Sequence, residues 1–161
     1  MEWAWLIPVF SFAAFPAIVL FGRFLPGKGA YLAILAIAGG FGVFWWVLSS
    51  FLAHDSLGCG LGQVQFDGSL VDCSREWFSV GGIQLDWGMI IDPVTIVMLG
   101  LVTFVALMVQ VYSLGYMKGE GRFGWYFAAH SLFAASMLTL VLADNFLLLY
   151  VAWELVGLCS Y

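Results

Sequence analysis

The sequence predicts an all-α integral membrane protein with four complete transmembrane helices, a truncated fifth and a small extracytoplasmic β-hairpin loop. Three observations carry that expectation. The 161 residues are 63% hydrophobic and only 9% charged, against about 25% charged in ordinary soluble domains. The apolar residues gather into long runs, and a helix needs about 20 of them to cross a hydrocarbon core about 30 Å thick. The few Lys and Arg residues lie mostly in short stretches between those runs.

Four runs meet the length test, at roughly 3–22, 30–53, 90–115 and 124–143, and a fifth begins near Asn145 and reaches Tyr161. The first follows "ME" rather than a basic leader and has no small-residue cleavage site after it, so it reads as a retained helix. Pro8 and Pro16 are expected to interrupt it, as membrane helices tolerate. The chain therefore divides into an N-terminal transmembrane hairpin (1–53), an outer loop (54–89) and helices three to five (90–161).

"GRFLPGKG" carries Arg23 and Lys28, and "YMKGEGRF" carries Lys118 and Arg122. Both stretches fall on one side of a five-helix arrangement, which the positive-inside rule makes cytoplasmic. The N-terminus, the outer loop and the Asp144–Asn145 turn then face outwards. Trp3, Trp5, Trp45, Trp46, Trp125 and Tyr126 suit interfacial anchoring. Five scattered Lys and Arg residues in all exclude a nucleic-acid surface.

In the outer loop, "QVQFDGSLV" alternates around Asp67-Gly68, a hairpin signal, with an irregular loop as the alternative. Cys59 and Cys73 share that oxidising side, where either a disulfide or two free thiols fit. A zinc site from His54, Cys59 and Cys73 ranks below both, lacking a fourth ligand and standard spacing, so no metal is expected. "GCGLG" is no dinucleotide fingerprint, because Gln63 stands where the last glycine should.

Glu154 is the strongest functional signal. It lies nine residues beyond Asn145, roughly 13 Å along a helix, which is near mid-bilayer. A lone charge there costs several kcal/mol, so such an acid is neutral, paired or beside a hydrated path. Burial favours its protonated form and a nearby cation its ionised form, and a group under both influences can load and release a proton. Tyr150, Gly157 and Leu158 are its helix neighbours, and Gly157 leaves room for another helix or for water. A purely structural carboxylate is the alternative.

His130, about one turn from the level of Glu154 in an antiparallel hairpin, is a second candidate proton carrier. The reading as a neutral residue bonded to a neighbouring helix weighs slightly more. On helix three, Asp92, Thr95, Thr103, Gln110 and Ser113 fall within an arc of about 80°. Such a stripe lines a hydrated route or ties helices together, and the second reading is favoured. Asp92 before Pro93 reads as an N-cap, Asp144 as the turn and N-cap of helix five, and Cys159 as a small packing residue.

"VLADNFLLLYVAWELVGLCSY", preceded by "LDWGMIIDPVTIVMLGLVTFVALMVQVYSLGYMKGEGRF", resembles the N-terminal part of the largest antiporter-like membrane subunit of respiratory complex I, NADH:quinone oxidoreductase, chain L in bacteria and chain 5 in mitochondria. The resemblance covers the whole chain and is strongest from Asp86 to Tyr161, and "WELVGLCSY" is its most specific block. Mrp-type cation/proton antiporters share the Trp-Glu pair but differ in the residues after it, and a subunit of such an antiporter is the alternative function. A structural split-gene piece without activity of its own is another. The plastid-type complex is a close relative.

The resemblance implies proton translocation coupled to electron transfer from NADH to quinone. It matches Glu154 to the family's glutamate of the fifth helix, which pairs with a lysine on a broken seventh helix. It implies that this chain binds no cofactor itself, with NADH, FMN, iron–sulfur clusters and quinone held by partner subunits of complex I. At His130 the family more often has another polar residue, so no role carries over. It also implies a multi-pass protein of the bacterial inner or plasma membrane, or of the mitochondrial inner membrane, with an extracytoplasmic N-terminus. Family members continue far beyond this length in two inverted repeats. The end of the chain inside helix five is therefore expected to mark a truncated or split-gene fragment, inactive alone.

Overall fold

The computed structural model describes residues 3–53, 63–67, 70–80 and 83–161. Five α-helices carry the architecture: α1 (Leu6–Phe21), α2 (Ala30–Leu52), α3 (Pro93–Tyr116), α4 (Phe123–Leu142) and α5 (Phe146–Ser160). Three strands stand between α2 and α3: β1 (Gln63–Asp67), β2 (Leu70–Val80) and β3 (Ile83–Ile91). A 3-10 turn, Pro26–Gly29, joins α1 to α2.

Among the described residues three helical segments, Gly27–Leu52, Pro93–Tyr116 and Phe123–Leu142, are long and apolar enough to cross a membrane. The chain is a multi-pass membrane protein. The helices α1 and α5 are equally apolar but shorter, at 16 and 15 residues. The first run was expected to start at residue 3, but Trp3 to Trp5 form a turn before the helix begins. The expected interruption of α1 is corrected, because the helix is continuous through both prolines. Pro8 lies in the first turn, where its missing N–H has no intrahelical partner to lose. Only Pro16 removes an interior hydrogen bond.

The helix α4 is central and touches α1, α2, α3 and α5. Its buried face is small: Ala128, Ser131, Ala134, Ala135 and Ser136 are each at most 1% exposed. Small residues let membrane helices approach closely and gain dispersion contacts where no hydrophobic driving force exists. The helix α2 answers with Ala30, Ala33, Ile37, Gly40, Phe44 and Val47 buried at alternating three- and four-residue steps, one stripe of a helix. Gly40 allows α2 to meet α1, since a Cβ there would already touch Ile7 at 3.5 Å. One apolar cluster, including Ile7, Ile37, Leu99 and Leu138, extends to Met89 and Ile91 of β3. A second gathers Ala14, Ile18, Ala33 and Phe127 near the 3-10 turn.

The strands form an antiparallel sheet in the order β1-β2-β3. Gln63 to Asp67 pair with Ser74 to Leu70, and β2 pairs with β3 across a register shift between Glu76 and Phe78. The sheet thus has a third strand beyond the two of the expected hairpin. Its last two residues, Ile90 and Ile91, fall within the third apolar run expected from the sequence. They remain extended because Asp92 is itself extended (φ −121°, ψ 173°) and Pro93 starts α3. A bridge between Met89 and Ala143 ties the sheet to the α4–α5 turn. The proposed pairing of Cys59 with Cys73, the His54 ligand and the Gly68 turn position lie outside the described residues, as do the surroundings of the Cys73 side chain.

Candidate functional site

The helix α5 starts at a side-chain cap. Asn145 Oδ1 accepts a hydrogen bond from Leu148 N at 2.8 Å, satisfying an otherwise orphaned first-turn N–H. The cap is therefore Asn145, which corrects the assignment of that role to Asp144. Asp144 instead accepts a 2.6 Å hydrogen bond from Asn145 Nδ2, orienting the amide so that its oxygen faces the helix. Asn145 can do this because it is extended (φ −130°, ψ 157°), placing its oxygen over the third helical N–H.

From that cap α5 packs through Leu148 and Ala152, its two buried residues, chiefly against α4. At 100° per residue, Glu154 is rotated 200° from Ala152 and faces away from α4. It is exposed on the outward face of the chain. Among the described residues no cation pairs with it, and it interacts with the hydroxyl of Tyr150, one turn earlier on the same face. Trp153 and Leu158 are exposed beside it. A Cβ at Gly157 would meet nothing within 4 Å, so the room expected there is open. Cys159 is a half-buried free thiol.

The fold does not bring His130 to Glu154. His130 is half-buried and turned to α3, where Gln110 Nε2 lies 3.2 Å from its Nδ1. One turn nearer the α3–α4 loop, Ser113 Oγ lies 2.9 Å from the Tyr126 hydroxyl. Gln110 and Ser113 are 0% and 2% exposed, so the polar stripe of α3 does hold two helices together along part of its length. Thr103 behaves otherwise and donates to Leu99 O of its own helix at 2.6 Å. Tyr126, read from sequence as an interfacial anchor, is a bridging residue that sequence reasoning missed. Gln110 and His130 stand ten residues either side of Glu120, a symmetry that an antiparallel pair turns into contact and that could have found both bridges.

Asp92 caps α3, accepting from Thr95 N at 2.5 Å. That bond and the Thr95 side chain hold its carboxyl below the usual carboxylate range. Among the described residues no cluster of three His, Cys, Asp or Glu side chains is arranged to hold a metal.

The outward acid on α5 and the capped entry to α3 lie in a chain with extensive relatives. Residues 77–127 match the family described as NADH-Ubiquinone oxidoreductase (complex I), chain 5 N-terminus. The F(420)H(2) dehydrogenase subunit L of Methanosarcina mazei is 41% identical over 160 residues, covering 99% of this chain. The chain belongs to the complex I subunit L/chain 5 family. NADH-quinone oxidoreductase subunit L of Mycobacterium tuberculosis is a subunit L/chain 5 member 35% identical over 160 residues, again 99% of this chain. The chloroplastic NAD(P)H-quinone oxidoreductase subunit 5 of Anthoceros angustus is 50% identical over 95 residues, or 59% of this chain. The chain spans 21% of the Methanosarcina relative, 24% of the mycobacterial one and 13% of the chloroplastic one. These subunit L/chain 5 relatives are named for different electron donors.

Proposed function

We propose that this chain forms the N-terminal part of a proton-translocating membrane subunit in a complex I-type quinone oxidoreductase, with Glu154 as its proton-exchanging group. The observation that carries the reading is the outward placement of Glu154 on an apolar helix, interacting with Tyr150 and with no cation beside it among the described residues. An acid so placed is costly in a bilayer unless it is neutral or meets a partner from outside these helices. A movable partner cation would favour the ionised form when close and the protonated form when distant, which is the elementary step of proton transfer.

In this reading α1 to α4 cross the membrane and α5 begins the fifth crossing, with the N-terminus, sheet and α4–α5 turn outside. The basic loops near Arg23 to Lys28 and Lys118 to Arg122 support that orientation. Other membrane subunits pack around the chain, and the surrounding lipid is its solvent. The electron donor, flavin, iron–sulfur clusters and quinone are held by partner subunits, and redox energy reaches Glu154 as a coupling between distant sites.

The test is Glu154→Gln in the whole protein, assembled with its complex. Proton pumping per electron falls while subunit assembly is retained. Pumping at the unmodified ratio overturns the reading.

A further inference from the structure

Four cations gather at one end of the bundle: Arg23 after α1, Lys28 in the 3-10 turn, and Lys118 and Arg122 between α3 and α4. Glu120 is the acid in those two loops, which leaves a local excess of three positive charges in a chain whose net charge is −5. Among the described residues none of the four is engaged in an ion pair. Three of them, Arg23, Lys28 and Arg122, line a groove of about 630 Å³ between α1 and the start of α4.

The groove is two-sided in its chemistry. Its other wall is apolar, built from Ile18, Val19 and Trp125. Exposed aromatic rings stand at the same level, with Phe24 88% and Trp125 62% exposed. Arg122 caps α4 without a side-chain hydrogen bond. At the start of α4, Phe123 N donates to Glu120 O and Tyr126 N to Arg122 O, while among the described residues Gly124 N and Trp125 N have no partner. Those N–H groups carry the positive end of the helix dipole towards the same groove.

The backbone is drawn tight around this point. Lys28 lies in the left-handed region at φ 51°, ψ 33°, between Gly27 and Gly29, both also at positive φ. Its carbonyl oxygen would be 2.8 Å from a Cβ on Gly124, so only glycine lets the turn close onto α4. The cations are thus held where apolar helices end, at the level of a lipid headgroup.

We propose that this groove binds the phosphodiester headgroup of an acidic phospholipid, with Arg23, Lys28 and Arg122 around the phosphate and the first acyl carbons against Val19 and Trp125. A basic pocket between membrane helices suits an anionic headgroup by charge. The apolar wall distinguishes a lipid from a free phosphate, which has nothing to place there. The inference is independent of the role of Glu154.

The experiment is native mass spectrometry of the full chain released from detergent carrying equal phosphatidylglycerol and phosphatidylcholine. The wild-type chain retains phosphatidylglycerol at least about tenfold over phosphatidylcholine, and Lys28→Gly with Arg122→Gln brings the ratio to within about twofold. Lys118→Gln, which removes the same charge outside the groove, leaves the ratio unchanged. Millimolar inorganic phosphate does not displace the bound lipid. Lys28→Gly alone suits the left-handed backbone and lowers the ratio without disturbing the helix content seen by circular dichroism. The proposal is overturned by equal retention of the two lipids, by an equal loss in Lys118→Gln, or by displacement with phosphate.

Discussion

The amide nitrogen of Gln110 stands 3.2 Å from Nδ1 of His130, across the seam between α3 and α4. With the amide donating, Nδ1 is an acceptor and the imidazole is held neutral with its proton on Nε2. Gln110 is fully buried and among the described residues its Oε1 has no partner, so the amide depends on this bridge. Gln110→Leu and His130→Phe should each cost about 1–2 kcal/mol, because each strands a polar group of the other. The double variant should cost less than the sum, with a coupling of about 1 kcal/mol. Unfolding of the four proteins in mixed detergent measures the cycle, and strictly additive single effects would show that the bridge contributes nothing.

Glu154 faces out of the chain, on the side of α5 opposite Ala152. In a bilayer that side meets lipid or a packed neighbour, where a lipid-soluble reagent can reach it. A membrane-soluble carbodiimide, which reaches carboxyls from the lipid phase, should therefore modify Glu154 in the chain reconstituted alone. Peptide mass mapping would locate the adduct, and Glu154→Gln should abolish it. An adduct confined to the acids outside the helices would contradict the outward placement.

Asp92 has a folded-state carboxyl held below the ordinary range by Thr95. A lowered folded pKa gives stability that is present above the unfolded value, about 3.9, and lost as pH falls through the folded one. Asp92→Ala should cost about 1 kcal/mol at neutral pH, the usual effect of losing an N-cap. Asp92→Asn keeps a capping oxygen and should cost little at pH 7 while removing this residue's share of the acid sensitivity. Melting curves of the three proteins from pH 7 to the acid limit test the sign. A steeper acid loss in Asp92→Asn than in the wild type would refute it.

Much of the fold was written in composition and period. The long apolar runs gave α2, α3 and α4, since a segment with so few polar groups can satisfy its backbone in lipid only as a helix. Local capping was harder to read: Asp144 and Asn145 are equally good cap residues, and only the extended backbone of Asn145, with its amide turned by Asp144, decides between them. The strands were legible as alternation near Asp67, but the end of β3 was not, because Ile90 and Ile91 are as apolar as the helix that follows. At the candidate site, the position of Glu154 along α5 followed from counting. Its direction did not, because that depends on which face of α5 packs on α4.

A glycine and a ring meet where α2 packs on α3. A Cβ on Gly100 would lie 2.6 Å from Cζ of Phe44, a buried side chain that is 7% exposed. Phe44 cannot swing aside freely, since its ring is stacked on Phe41 at 6.0 Å and edged by Trp45 at 5.8 Å. Gly100→Ala should therefore force the helices apart or tilt the ring, at about 1–3 kcal/mol. Gly42 is the control, because a Cβ there meets nothing within 4 Å. Gly42→Ala should be neutral or stabilise by up to about 1 kcal/mol through helix propensity alone. Adding Phe44→Leu to Gly100→Ala should recover part of the loss if the clash is the cause, since the shorter side chain no longer reaches the new methyl. Detergent unfolding of the three variants decides the point: equal effects of Gly100→Ala and Gly42→Ala would mean that this contact does not set the spacing of α2 and α3.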